Sequence, residues 1–99
     1  IFYLSLLAAL ASAASLPAIA SADLAKQHNC LSCHSVDKKV VGPSYKDIAA
    51  KYKGQSVEAA LIDKIKHGSK GVYGPIPMPA NANVPDADVK TLVKWILAQ

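Results

Sequence analysis

Residues 30 to 34 read Cys30-Leu31-Ser32-Cys33-His34 and hold both cysteines of the chain. Two thiols separated by two residues, with an imidazole directly after the second, are the groups that form two thioether bonds to one edge of a porphyrin and set a nitrogen ligand beneath its iron. On a helical turn Cys33 and His34 stand three and four residues beyond Cys30, so all three side chains share a face. The spacing reads as a c-type haem attachment site.

Three other chemistries compete for this stretch. A disulfide across two intervening residues closes a very small loop and stabilises little. A thioredoxin-like redox pair needs a βαβ context, which the pattern lacks. A zinc site needs a second Cys/His pair, and His28 and His67 are isolated at no familiar ligand spacing. Haem is therefore the favoured reading.

Met78 is the only methionine, and it sits in Pro77-Met78-Pro79, off every helical stripe. Prolines on both sides hold it extended with little conformational entropy left to lose. A lone methionine is usually a gap-filler in a core. Given the haem motif, a thioether presented rigidly from a loop is better read as the sixth ligand, completing His34/Met78 iron.

The elements that must position these groups come from a short chain. Residues 1–14 are apolar or small and carry no charge, the first charged residue is Asp23, and Pro17 precedes two small-residue boxes, Ala18-Ile19-Ala20 and Ala20-Ser21-Ala22. This is the pattern of a secretory leader, residues 1–20 or 1–22, cleaved before Ser21 or Asp23 and followed by one domain over the remainder to residue 99. An uncleaved anchor is the alternative, weakened by the short run and its Ala and Ser content. An exported pair of cysteines normally oxidises, so thioether capture also explains their presence. A domain this small has a meagre core and needs a staple, which a covalently held porphyrin supplies.

Within the domain the signals are helical. Ser21 or Asp23 can cap a first helix that reaches about Asn29. Tyr45, Ile48, Ala49 and Tyr52 recur at amphipathic spacing up to Gly54, and Ser56 can cap a third helix with a Val57, Leu61, Ile65 stripe widened by Ile62 and ended by Gly68. Residues 68–85 form a long loop rich in proline and glycine. Val89, Leu92, Val93, Ile96 and Leu97 mark the last helix, with Asp86 and Asp88 at its dipole-favoured start and Pro85 placing the boundary at Asn83 or Val84. No segment alternates with period two. The class is all-α, about four helices wrapped around one covalently bound haem, the first and last crossing near the attachment motif. Trp95 is expected in core packing, and His28 and His67 at the surface.

The motif at residues 30–34, the run Val41-Gly42-Pro43-Ser44-Tyr45-Lys46-Asp47-Ile48-Ala49-Ala50-Lys51-Tyr52, the run Gly68-Ser69-Lys70-Gly71-Val72-Tyr73-Gly74-Pro75-Ile76-Pro77-Met78-Pro79 and Lys94-Trp95-Ile96-Leu97 together resemble the small bacterial class I cytochromes c of the c-551/c-552 type. The resemblance covers nearly all of the domain. It implies a periplasmic one-electron carrier of a respiratory chain, not an enzyme, with haem c bound through Cys30 and Cys33 and axial ligands His34 and Met78. It also implies that the Pro43 carbonyl accepts from the His34 ring, that Asn81 bonds near the methionine sulfur, and that Tyr73, where a Trp is common, and Lys64 meet the haem propionates. Ala80 in place of a second proline and Pro85 in place of a Ser cap are departures from the pattern. The partners implied are periplasmic redox proteins such as a nitrite reductase, a cytochrome c peroxidase or a terminal oxidase, met by a monomer.

Eleven basic residues, all lysine, against seven acids give a net charge of +4. Lys26, Lys38, Lys39, Lys64 and Lys70 are candidates for a ring around an exposed haem edge that steers docking onto acidic patches in a salt-dependent way. Nucleic acid is not expected as a partner in an exported compartment, nor is stable membrane insertion after cleavage. With both axial positions filled, oxygen binding is disfavoured and electron transfer remains. A haem-based ligand sensor or peroxidase-like enzyme, in which Met78 does not bind, is the alternative. A subunit of a larger oxidase or reductase is a third.

Overall fold

The computed structural model describes residues 18–99. Among them the chain forms four α-helices, α1 (Ala18–Gln27), α2 (Tyr45–Lys51), α3 (Glu58–His67) and α4 (Asp86–Leu97), with a 3-10 turn at Cys30–Ser32. No strand occurs among the described residues, only isolated antiparallel bridges at His34 and Lys39 and at Ser69 and Met78. The leader expected at the start falls largely on residues 1–17, outside the described part.

α4 is the pillar of the core. Its stripe puts Val89, Leu92, Val93 and Ile96 on one buried face, and Val84 in the preceding turn joins them. Leu61, Ile62 and Ile65 of α3 pack against Val84, Val89 and Val93, and α1 and α2 also lie against α4. Burying each such side chain contributes roughly 1.5–3 kcal/mol. Asp86 and Asp88 in the first turn and Lys94 in the last match the helix dipole.

Helix ends depart from the sequence expectations by a few residues. α1 already includes Ala18, so Ser21 and Asp23 lie inside it rather than at its cap, and Ser21 is buried. It ends at Gln27 rather than Asn29 because Asn29 adopts left-handed φ 61°. α3 begins at Glu58 with Val57, not Ser56, in the cap position, and the Val57 carbonyl accepts from Leu61 at 2.9 Å. Pro85 itself caps α4, its carbonyl accepting from Asp88 at 3.0 Å and Val89 at 3.1 Å, which moves the boundary past Asn83 and Val84.

His28 is not a surface residue. Its side chain is 16% exposed, and Nε2 meets Asp88 Oδ2 at 3.1 Å, joining the end of α1 to the start of α4. His67 is exposed and pairs with Asp63 one turn away. Lys66 reaches from α3 to the turn that enters α4, donating to the carbonyls of Ala82 at 3.2 Å and Val84 at 2.7 Å and meeting Asp86 Oδ1 at 2.8 Å.

Two outcomes follow from this core. Leu92→Ala removes a side chain 2% exposed and should cost about 2–5 kcal/mol in denaturant unfolding of the haem-loaded protein; a loss well under 1 kcal/mol contradicts the packing. The hydrogen bond from Lys66 and its positive charge hold the Asp86 carboxyl below the usual carboxylate range. That contribution is present above the unfolded pKa of about 3.9 and is lost as pH falls through the lower folded value. Lys66→Met should therefore be destabilised near neutral pH, with the deficit relative to the parent shrinking below about pH 4; a deficit independent of pH contradicts the Asp86 contact.

Candidate functional site

The attachment turn is built by backbone geometry. Asn29 turns the chain out of α1, and the amides of Cys33 and His34 both donate to the Cys30 carbonyl, at 3.2 and 3.0 Å. Cys30, Cys33 and His34 therefore line one cleft. The two thiols are half-buried and not bonded to each other. Burial pushes the Cys30 thiol up.

Residues 35–43 are tied back onto this turn. The Cys33 carbonyl accepts from Val41 at 3.2 Å and Gly42 at 2.8 Å, and the Ser35 and Val36 carbonyls accept from Tyr45 and Lys46 at the start of α2. Ser44 caps α2 by accepting from the Asp47 amide at 3.1 Å. The loop so held brings the Pro43 carbonyl to 2.7 Å from His34 Nδ1. A carbonyl only accepts, so Nδ1 carries the proton and Nε2 keeps its lone pair for a metal.

Two further groups fix the imidazole. A Cβ on Gly42 would lie 2.6 Å from His34 Cε1, so only a bare glycine fits beside that edge. Tyr45 stacks on the ring at 5.2 Å between centroids and 21° between planes, and Trp95 meets Tyr45 edge-on at 5.2 Å and 69°. The Tyr45 phenol is pushed well above the usual range by burial and by the nearby Cys30.

Met78 is held by its backbone, which exchanges both hydrogen bonds with Ser69, at 2.7 and 3.0 Å. Gly68 makes this pairing possible, because its φ of +87° is left-handed and a Cβ there would meet the Met78 carbonyl at 2.9 Å. Asn81 closes the loop onto α3, donating its amide to Ile65 at 2.8 Å while its side chain donates to the Pro79 carbonyl at 3.2 Å. Tyr73 is partly exposed beneath Lys51, 5.4 Å from its ring centroid. Burial, then Tyr52 and Asp47 beside it, push its phenol up to about 12.

All eight residues singled out from the sequence, Cys30, Cys33, His34, Pro43, Lys64, Tyr73, Met78 and Asn81, line this one cleft of about 750 Å³. Ile48, Leu61, Ile65, Leu92, Val93 and Ile96 add apolar surface to its walls. Of the proposed lysine ring, Lys39, Lys64 and Lys70 reach the lining, and Lys26 and Lys38 do not. The zinc alternative finds no ligand set: no group of three or more His, Cys, Asp or Glu side chains converges among the described residues. Two thiols and an imidazole on one turn, a thioether in the same cleft and apolar walls suit a large flat apolar cofactor with a metal at its centre. Sequence reasoning missed the parts played by Gly42 and Tyr45. It also missed the Ser44 cap, although Ser44 followed three residues later by Asp47 is a capping signature.

A family model for cytochrome c matches residues 18–99. The chain is 61% identical over 79 residues to cytochrome c-552 of Nitrosomonas europaea, covering 79% of this chain and 77% of that protein. It is 56% identical over 77 residues to cytochrome c-551 of Pseudomonas aeruginosa, covering 77% and 73%. The crystal structure of the Nitrosomonas europaea protein superposes with a TM-score of 0.74 at 60% identity, over 77% of this chain and 95% of that one. The class 1 cytochrome MtoD of Sideroxydans lithotrophicus superposes at 0.69 and 34% identity, over 85% and 97%. With the Cys30/Cys33 spacing fitting one covalent haem c, the chain belongs to the cytochrome c family, as a small class I c-type cytochrome of the c-551/c-552 type.

Proposed function

We propose that this protein is a one-electron carrier, with haem c attached through Cys30 and Cys33, ligated by His34 and Met78, and exchanging electrons with redox proteins in the periplasm. One arrangement carries this: the two thiols, the imidazole and the only thioether of the chain line a single apolar cleft. A bound haem supplies a one-electron ferric/ferrous couple. Everything else is done by the chain's own groups.

His34 presents Nε2 because its Nδ1–H donates to the Pro43 carbonyl, and that hydrogen bond raises the basicity of the ring. Met78 offers sulfur from a loop pinned at Ser69, so little order has to be imposed on binding. A His/Met pair raises the reduction potential, and apolar walls disfavour the extra positive charge of the oxidised state. Lys64 from α3 and Tyr73 from the loop line the cleft with polar tips, suited to the carboxylates of a porphyrin rim. Lys39, Lys64 and Lys70 supply positive charge around the cleft, which steers encounter with acidic surfaces and weakens as salt rises.

Export is supported by the uncharged residues 1–14 and the small-residue boxes before Asp23. No helix among the described residues is long and apolar enough to cross a membrane. Ser21 is buried in α1, so cleavage before Ser21 keeps its packing and cleavage before Asp23 removes it.

The carrier role predicts that the reduced parent protein binds carbon monoxide poorly at neutral pH. Met78→Ala should bind it readily, lose the ferric sulfur-to-iron absorption band, and drop in potential by on the order of 0.1 V, within the roughly 0.8 V that axial ligands span. Rapid, tight binding by the parent would support a ligand sensor or peroxidase-like enzyme instead. Gly42→Ala forces a methyl against His34 Cε1 and should cost about 1–3 kcal/mol in denaturant unfolding of the haem-loaded protein; an unchanged midpoint would contradict the close approach.

A further inference from the structure

Tyr45 is 2% exposed at the first turn of α2 and touches two aromatic neighbours at once. Among the described residues Pro43, Gly42 and Tyr45 flank the His34 imidazole, and each restrains a different motion. The Pro43 carbonyl, at 2.7 Å, fixes one ring nitrogen but leaves the ring able to rock about the N–H···O line. Gly42 bounds the Cε1 edge. The phenol ring, centred 5.2 Å away and inclined by 21°, is the flat surface that bounds rotation of the imidazole plane. An aliphatic side chain of similar volume would fill the space without defining a plane.

Tyr45 is itself braced. Its amide donates to the Ser35 carbonyl at 2.9 Å, Ser44 caps its helix, and Trp95 of α4 stands edge-on against its ring at 69°. The imidazole plane is thus referenced to α2 and α4, and not to the loop of residues 35–43 alone. For an axial imidazole that angle matters, since it decides which iron d orbital the ligand π system overlaps more, and so how unpaired spin is spread over a ferric porphyrin.

We propose that Tyr45 is a positioning residue for His34, setting the imidazole plane that faces the haem iron, with Trp95 as its brace. This rests on the axial role of His34 proposed above. Proton NMR of the ferric, haem-loaded protein tests both, through the hyperfine-shifted haem methyl and ligand-ring resonances. Tyr45→Phe should keep the parent pattern of methyl shifts. Tyr45→Leu should change their order or spread, and Trp95→Leu, which leaves the phenol but removes its support, should change them less. If Tyr45→Leu fails to assemble with haem, Tyr45→Met asks the same question with a flexible side chain of comparable bulk.

A pattern that stays the same in the Leu or Met variant while stability falls overturns the proposal and leaves Tyr45 a packing residue. A pattern altered as much by Phe as by Leu also overturns it, because the hydroxyl and not the ring plane would then be responsible. Parent protein without hyperfine-shifted ring signals from isotope-labelled His34 overturns the axial reading itself, an outcome distinct from the other two.

Discussion

The Cys30 carbonyl accepts hydrogen bonds from both Cys33 and His34, and the rest of the molecule depends on that shared acceptor. It turns five consecutive residues, Cys30 to His34, tightly enough to bring two thiols and an imidazole into the same cleft. The turn has no buried side chain of its own to stabilise it. Its shape is imposed from both ends, by the left-handed residue Asn29 that leaves α1 and by the amides of Val41 and Gly42 that return to the Cys33 carbonyl. A sequence of five residues is therefore effective only because of what surrounds it.

The core and the cleft share side chains. Among the described residues the buried apolar side chains are few: Ala25, Tyr45, Val84, Val89, Leu92, Val93 and Ile96. Leu61, Ile65 and Ile48 are only half-buried, and all three line the cleft. A protein of this size without disulfides gains most of its remaining apolar burial from a covalently bound group. The same side chains thus belong to the protein core and to the haem pocket, so stability and redox environment are coupled through them.

Much of this was legible in the residues. The attachment motif could be read because its chemistry demands a fixed spacing, and α4 because five apolar residues keep helical period behind two acids. Helix starts were less legible: serine is by far the better cap type, yet Val57 takes the cap position of α3 and makes no side-chain cap hydrogen bond. His28 carried no local sign of burial; its partner Asp88 lies 60 residues away and only the approach of α1 to α4 joins them. For Tyr45 the helical stripe indicated an inward side chain, but nothing in one dimension could say that the surface it met was the imidazole of His34. Nothing local marks Lys66, whose three acceptors appear only when the turn before α4 folds over α3.

Everything above turns on one porphyrin joined covalently to Cys30 and Cys33. The most direct measurement is the intact mass of the purified protein after denaturation and acid extraction of loosely held cofactor. Covalent attachment predicts a coloured chain heavier than its polypeptide by one haem, with no free or disulfide-bonded cysteine. A colourless chain at the bare polypeptide mass, its two sulfurs joined to each other, would contradict it.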